Sequence, residues 1–417
     1  MIRAWIESAA KWLTPRRIRA QAIVLALCLW SVCAVDFATP GLLDRAGNIK
    51  FQDFLPLYVS AQLIAHGRAT ELYDQKVTAN SAQAVVGQAT NVRLPYLYGP
   101  QVGLMLVPLA RFSFPVAARI WTVSSVLVFF ACVYLAWRSC PALRPHSAVV
   151  LICSLAFPPL YHFVVRGQLS AVVLACFTAA FLAFRAERHW LAGVALGLLV
   201  FKPQFLVAIP IVLLLAQAWK ALAGLVVAAA GQLVLTSLYF GPAVMRAYFD
   251  TLWHISRMIG ALELSLAPIQ MHSLRSFWSL LIPWPQPVLT LYILSSIVIV
   301  GMAAVVWKSS APLVLRFSAL TLAAVLVNPH LFVYDLLVLA PALLLLADWI
   351  LSNPQNPSSG ALRLLTYLAF VLPEFGPLSR WTHIQLSVPA FAVLLWVLWR
   401  DSRTPSHELA SGESAVV

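Results

Sequence analysis

Long runs of apolar residues recur along this chain and are separated by short polar connections. Four examples, each without a charged residue, are Ile23 to Leu29, Val149 to Phe157, Ile297 to Val306 and Leu336 to Leu346. A helix needs about 20 predominantly apolar residues to cross the hydrocarbon core of a bilayer. The pattern therefore predicts an all-α protein with many membrane-spanning helices, in one domain over residues 1–400.

By this length rule the chain holds about twelve spans, within a range of roughly ten to fourteen. The predicted spans are Ile18–Phe37, Arg119–Trp137, Ser147–Val165, Leu169–Phe184, Trp190–Val200, Phe205–Ala216, Leu222–Phe240, Val288–Trp307, Pro312–Val327, Leu331–Ile350, Leu364–Leu372 and Ile384–Trp399. Residues 190–217 have a second interpretation, as one kinked span interrupted by Lys202. Two short helices that meet at Lys202 are favoured, because a lysine at mid-membrane costs roughly 2.5 to 3.5 kcal/mol.

Lys and Arg predict the orientation of these spans, because basic residues in short connections stay in the cytoplasm. Most of them lie in alternate connections, on the same side as the arginine-rich N-terminus, so both termini are expected in the cytoplasm. Two long connections, 38–118 and 241–287, are then extracytoplasmic. In the first, Phe54–Ala65 and Val102–Ala110 are expected to form helices at the membrane interface. Residues 401–417 are expected to form a disordered cytoplasmic tail.

Composition supports the membrane assignment. The 417 residues are 61% hydrophobic and 10% charged, whereas a soluble domain is about 25% charged. The formal charge of +13 comes from dispersed Lys and Arg without a basic stripe, so nucleic acid is not an expected partner. The six cysteines lack the close pairing of zinc or redox motifs. No metal or other cofactor is expected.

Polar residues gather at the predicted external ends of several spans. Asp53 opens the first interfacial segment, Arg166 and Gln168 join the third and fourth spans, and Lys202 joins the fifth and sixth. Asn328-Pro329-His330 joins the ninth and tenth, and Asp335 follows one turn inside the tenth. Ionisable residues at membrane depth are costly to bury, and they are functional candidates for that reason.

Five of the candidate residues also have an interpretation without chemistry. Asp53 is suited to cap a helix N-terminus, Lys202 to extend toward lipid head groups, and Arg166 to anchor a lipid phosphate. His330 is suited to an ordinary loop contact, and Tyr98 to an aromatic belt. A buried Asp335 must be paired or protonated.

A set of short motifs, taken in order and spacing, resembles glycosyltransferase family 87 over roughly Asp53 to Leu346. The motifs are Asp53-Phe54 with Tyr58, Ala61, Gly67 and Leu72-Tyr73-Asp74; Leu94-Pro95-Tyr96 before Pro100; Gly167-Gln168; Gly193 and Gly197 before Lys202-Pro203; and Asn328-Pro329-His330 with Tyr334-Asp335.

This resemblance implies a GT-C fold in the plasma (inner) membrane. It implies transfer of a hexose, with mannose the best-known case, from a polyprenyl-phosphate carrier to the hydroxyl of a lipid or glycan acceptor outside the cytoplasm. Asp53 would be the general base and the reaction would invert the sugar. By the same resemblance, His330 is a catalytic candidate and Lys202 and Arg166 are candidates to bind the donor phosphate. Candidates to contact the sugar or support those that do are Gln168, Tyr98, Tyr334 and Asp335.

Two other functions compete with this one. About twelve spans with cytoplasmic termini is also the layout of many secondary transporters, although the two halves show no convincing repeat and the long first external loop is unusual for a carrier. A non-catalytic membrane scaffold would leave Asp53, Lys202 and His330 freely replaceable.

Overall fold

The computed structural model describes residues 2–87, 96–266 and 270–403. Within these ranges every regular element is a helix, and β-structure is confined to two isolated bridges, Leu43–Ile49 and Met271–Phe332, so the predicted all-α class is confirmed. The motif residues Leu94 and Pro95 and the tail residues 404–417 lie outside the described residues.

The α helices are α1 (Ile2–Trp12), α2 (Pro15–Ala38), α3 (Leu55–Ala65), α4 (Gln75–Val86), α5 (Pro100–Leu106), α6 (Phe114–Trp137), α7 (Ser147–Leu155), α8 (Pro158–Arg166), α9 (Ser170–Arg185), α10 (His189–Gly197), α11 (Ile209–Leu215), α12 (Trp219–Leu266), α13 (Leu274–Leu281), α14 (Pro285–Lys308), α15 (Leu313–Leu326), α16 (Leu339–Ser352), α17 (Ser359–Val371), α18 (Ser379–Thr382) and α19 (Ser387–Asp401).

Six helical segments in the described chain are long and apolar enough to cross a membrane, or seven if one bent pair forms a single span. They are Pro15–Ala38, Phe114–Trp137, Trp219–His254, Pro285–Lys308, Val333–Ser352 and Ser359–Thr382, and the bent pair is Pro141–Leu155 with Pro158–Arg166. The predicted count of about twelve also includes the shorter helices α9, α10, α11, α15 and α19, and it stays a prediction.

Proline and glycine interrupt two helical segments, one within the third predicted span and one just after the seventh. The third bends by 45° between α7 and α8, because Pro158 and Pro159 open α8 and lack the backbone N–H that a continuous helix would need. In α12, Gly241 has a φ of 79° and precedes Pro242. The helix continues beyond this kink to Leu266, so the second predicted loop begins as a helix.

The lysine junction of the chain is formed by two short helical arms. The chain passes from α10 through a 3-10 turn at Leu198–Phe201 to Lys202, and then through a second 3-10 turn at Pro203–Leu206 to α11. Lys202 itself has non-helical backbone angles, φ −133° and ψ 68°. The arms are therefore two separate helices, in agreement with the favoured interpretation of residues 190–217.

A glycine allows α10 to pack closely against α12. A Cβ atom on Gly193 would lie 1.9 Å from the backbone oxygen of Ala221, a distance that no side chain could occupy. Small residues at helix crossings let backbones approach closely and gain van der Waals contact. This close crossing holds the α10 arm, and with it Lys202, against the bundle.

The short helix α15 occupies the centre of the bundle. Nearly all of its side chains are buried, from Phe317 to Leu326 without interruption, as expected for a helix that is apolar on every side. It leads directly into Asn328, which is fully buried. The buried helix α15 thus places the Asn328-Pro329-His330 motif at the end of the bundle where the other motifs lie.

In the first loop, the helix α3 is also buried over most of its surface. Its predicted position at the membrane interface stays a prediction.

Candidate active site

The backbone around Asp53 is tightly turned and anchored by aromatic packing. Phe51 adopts a left-handed conformation with φ 55°, which is uncommon for a residue other than glycine. A 3-10 turn at Gln52–Phe54 follows and runs directly into α3. The ring of Phe54 is fully buried and stacks on Trp121 with a centroid separation of 6.0 Å. Asp53 is therefore presented from a rigid turn, with its side chain 16% exposed.

The turn between α8 and α9 approaches the same place because of a glycine. Gly167 ends α8 with a φ of 72°, and a Cβ atom there would lie 2.9 Å from the Cβ of Phe54. The indole N–H of Trp121 donates to the backbone oxygens of Gly167 at 3.2 Å and Gln168 at 3.3 Å. Only glycine combines this backbone conformation with such close contact, so Gly167 brings Gln168 beside Asp53.

Four predicted residues meet in what we call the carboxylate cluster: Asp53, Gln168, Tyr98 and Arg166. Gln168 donates from Nε2 to Asp53 Oδ2 at 2.8 Å, and its Oε1 accepts from the Tyr98 hydroxyl at 3.1 Å. Arg166 places Nη1 3.9 Å from Asp53 Oδ1. One carboxylate oxygen is thus held by an amide, while the other faces a guanidinium without a hydrogen bond among the described residues.

The Tyr98 phenol is a neutral donor in this cluster. Burial raises its pKa well above the ordinary value of 10, and the negative charges of Asp335 and Asp53 raise it further. A phenol that keeps its proton donates to Gln168 Oε1, which leaves the amide nitrogen of Gln168 to face Asp53. Tyr98 thereby orients the glutamine.

A second group, which we call the ion-pair cluster, lies deeper and contains Lys202, Asp335, Ser170 and Tyr334. The Lys202 ammonium and the Asp335 carboxylate form a salt bridge in which both side chains are nearly inaccessible, 3% and 2% exposed. Ser170 donates to the same Asp335 oxygen at 2.8 Å. The Lys202 Nζ also lies 5.7 Å from the centroid of the Tyr334 ring, a cation–π distance. The described partners of the Asp335 carboxylate are thus the Lys202 ammonium and the Ser170 hydroxyl.

His330 joins the ion-pair cluster through a row of aromatic rings. Its ring meets Phe332 edge-on at 4.9 Å, and Phe332 stacks on Tyr334 at 5.3 Å. The backbone N–H of His330 donates to Asn328 Oδ1 at 2.9 Å. The structure therefore brings His330 to the edge of the same region, on the side of Tyr334.

Gln270 to His272 cross the site as a strap that was not predicted. Gln270 accepts from Arg166 at 3.4 Å, Met271 forms an isolated bridge with Phe332, and the His272 N–H donates to Leu331 at 2.9 Å. The strap thus links Arg166 to the segment that follows His330. No pattern in the sequence marks the strap, whereas Ser170 was detectable as the first polar residue after Gln168.

A sequence model of glycosyltransferase family 87 matches residues 96–333, more than half of the chain. The chain belongs to glycosyltransferase family 87. The match includes Gln168, Lys202 and His330 and ends just before Tyr334, whereas Asp53 precedes it. No curated protein and no solved structure matches the chain.

Membership of family 87 makes the protein a membrane glycosyltransferase, and so a protein that uses a sugar donor and an acceptor. It gives no support to the transporter alternative. The carboxylate cluster contains a partly accessible carboxylate with a cation beside it, two kinds of group that serve general-base catalysis and the stabilisation of negative charge.

Proposed function

We propose that this family 87 chain transfers a hexose, mannose in the first instance, from a polyprenyl-phosphate carrier to an acceptor hydroxyl of a lipid or glycan. The observation that carries the proposal is the state of the Asp53 carboxylate. Gln168 holds Oδ2, and Oδ1 is the oxygen left to accept a proton. A carboxylate placed in this way activates an attacking hydroxyl as a general base.

The direct displacement proceeds with inversion at the sugar carbon. Asp53 takes the proton of the acceptor hydroxyl as its oxygen forms the new bond to that carbon. The bond from the same carbon to the carrier phosphate breaks, and the phosphate leaves with the bonding electron pair. Because the transition state carries oxocarbenium character and the leaving phosphate is anionic, a neighbouring cation stabilises it.

Arg166 is the cation best placed to bind the departing phosphate. Its side chain is 32% exposed, and a guanidinium binds phosphate oxygens through two parallel hydrogen bonds. Lys202 is our second proposed phosphate ligand, and it acts only when it leaves Asp335, because the ion pair now occupies its ammonium. His330 is proposed to contact the donor from the Tyr334 side, and Gln168, Tyr98, Tyr334 and Asp335 hold the reacting groups in position.

We further propose a GT-C arrangement with about twelve crossings in the plasma membrane, both termini in the cytoplasm and the site outside. The alternation of basic connections supports this orientation. Labelling with a membrane-impermeant maleimide tests it, using His66→Cys in the first loop and Arg188→Cys between α9 and α10, both at exposed positions. In intact cells the proposal expects labelling at 66 only. Labelling at 188 only would reverse the orientation.

The decisive experiment measures transfer of labelled sugar from polyprenyl-phosphate donors by purified protein in lipid. Asp53→Asn keeps an acceptor for the Gln168 amide but removes the base, so we expect transfer to fall by about 10²- to 10⁴-fold. Asp250→Asn, at an exposed position in α12, is the matched control and should transfer like wild type. Equal transfer by Asp53→Asn and wild type would refute the assignment of Asp53.

A further inference from the structure

A partly open apolar cavity of about 370 Å³ lies between α2, α7, α16 and α17, away from both clusters. This volume is within the usual range for ligand pockets, roughly 300 to 1,000 Å³. Its wall is almost entirely hydrocarbon, with Val150, Phe157, Leu344 and Phe370 among the lining residues. A hydrocarbon chain would match this wall over most of its surface.

The cavity runs along α16 in the direction away from the active site. It is lined from Ala340 to Leu351, a helical distance of about 16 Å. Ala340 is the deep end, since it follows the ion-pair residue Asp335 by little more than a turn. Leu351 is the outer end, where α16 stops at Ser352 and α2 begins at Pro15.

Polar groups in the lining are concentrated toward the outer end of the cavity. Arg363, near the start of α17, lines it together with His146 and Thr14. Arg363 has no hydrogen bond or ion pair with any other residue that the structure describes. One turn further along α17, the Thr366 hydroxyl is buried and has no hydrogen-bond partner in the described chain. A cation and an unsatisfied hydroxyl thus lie on the wall of an otherwise apolar cavity.

We infer that this cavity binds one hydrocarbon chain of an anionic phospholipid, with the lipid phosphate at Arg363. The length of about 16 Å matches one leaflet, half of a hydrocarbon core of roughly 30 Å. The outer end of the cavity coincides with the ends of three candidate spans, at Pro15, Ser352 and Ser359, which is where lipid head groups lie. An arginine at that level attracts an anionic head group.

The site is separate from the proposed donor site and does not depend on it. Arg166 and the carboxylate cluster lie at the far end of the bundle, beyond Asp335. A lipid bound in the cavity would contact α2, α7, α16 and α17 together, and would therefore stabilise their packing. Binding raises the apparent stability of the folded state by mass action, so lipid-dependent melting is a suitable readout.

The test uses the full chain purified in detergent, with phosphatidylglycerol, phosphatidylcholine and polyprenyl phosphate titrated separately. Native mass spectrometry counts the retained lipid, and the melting temperature is measured at each lipid concentration. We expect the wild type to retain one phosphatidylglycerol and to melt at a higher temperature with it. Ala347→Phe fills the middle of the cavity and should abolish retention. Ala230→Phe, at an exposed alanine on α12, is the matched control and should retain the lipid.

Arg363→Gln tests the head group without changing the apolar wall, and it decides the matter if Ala347→Phe does not fold. We expect its preference for phosphatidylglycerol over phosphatidylcholine to fall by about fivefold, the effect of one basic residue near a lipid surface. Retention by Ala347→Phe equal to wild type, or an unchanged lipid preference in Arg363→Gln, would overturn the proposal. Retention of polyprenyl phosphate in place of phosphatidylglycerol would also overturn it.

Discussion

Lys202 and Asp335 are 133 residues apart in the chain and form a buried ion pair beneath the carboxylate cluster. Lys202 lies between two short helical arms, and Asp335 lies in the 3-10 turn Val333–Val338 that leads into α16. Ser170, at the start of α9, donates to the same carboxylate. Three helix junctions are therefore tied together by one charged contact.

Replacing only one residue of this ion pair should lower the free energy of unfolding far more than replacing both. Asp335→Leu leaves the Lys202 ammonium buried without a counter-ion, and the loss of one partner of a buried pair typically costs about 3 to 5 kcal/mol. In Lys202→Met/Asp335→Leu no charge remains to be buried, so much of that stability should return. Thermal unfolding in detergent measures the difference. A double variant as unstable as Asp335→Leu alone would contradict this account.

Replacing Tyr98 should slow transfer without changing its dependence on pH. Tyr98→Phe removes the donor that orients Gln168 toward Asp53, and the loss of one hydrogen bond corresponds to about a three- to tenfold lower kcat. Because burial and the two nearby carboxylates hold the pKa of Tyr98 well above its usual value, the phenol does not titrate in the working range. The pH profile of Tyr98→Phe should therefore have the wild-type shape.

Gln168→Leu should have a larger effect than Tyr98→Phe, because it removes the direct contact with Asp53. The matched control for Tyr98→Phe is Tyr239→Phe, at a tyrosine that is 66% exposed, and it should transfer sugar like wild type. The prediction fails if Tyr98→Phe shifts the pH optimum or if Gln168→Leu is the milder of the two.

Gly167→Ala should destabilise the junction between α8 and α9. A left-handed backbone costs a residue with a Cβ about 1 to 2 kcal/mol, and the new methyl group would lie 2.9 Å from the Cβ of Phe54. Both unfolding temperature and transfer should fall, since Phe54 adjoins Asp53. Gly231→Ala, in the interior of α12 with no atom within 4 Å of the added Cβ, should be neutral or stabilising. Equal behaviour of the two variants would argue against a strained turn.

His272 should make the folded protein sensitive to acid. Burial, with a smaller contribution from His162, lowers its pKa from 6.5 to about 3. Between these values the unfolded chain binds a proton that the folded chain does not, so stability falls as pH falls from 6.5 toward 3. At pH 5 the loss from this group is about 2 kcal/mol.

The Ser387 hydroxyl lies 2.7 Å from His272 Nδ1. His272→Asn keeps a polar group near this hydroxyl, but the asparagine side chain does not titrate. Its melting temperature should therefore decline less than that of wild type between pH 7 and pH 5. His66→Asn, at an exposed histidine, serves as the control. A decline in His272→Asn as steep as in wild type would assign the acid sensitivity to other groups.

The sequence by itself determined the all-helical membrane class and the junctions where the polar residues lie. These follow from local properties: apolar runs long enough to cross a bilayer, and prolines and glycines that end helices. The motif order also indicated the family that residues 96–333 match. Lys202 was correctly placed between two short helices for the same local reason, the cost of burying a lysine within a span.

Only the tertiary structure decided which polar residues meet. Gln168 contacts Asp53 across 115 residues and Lys202 contacts Asp335 across 133, and neither separation leaves a periodic signal. These pairs depend on close packing between distant helices: Gly167 against Phe54, and Gly193 against Ala221. A lysine that sequence reasoning assigned to a donor phosphate is consequently bound to an aspartate, because a charge buried by packing needs the nearest available counter-charge.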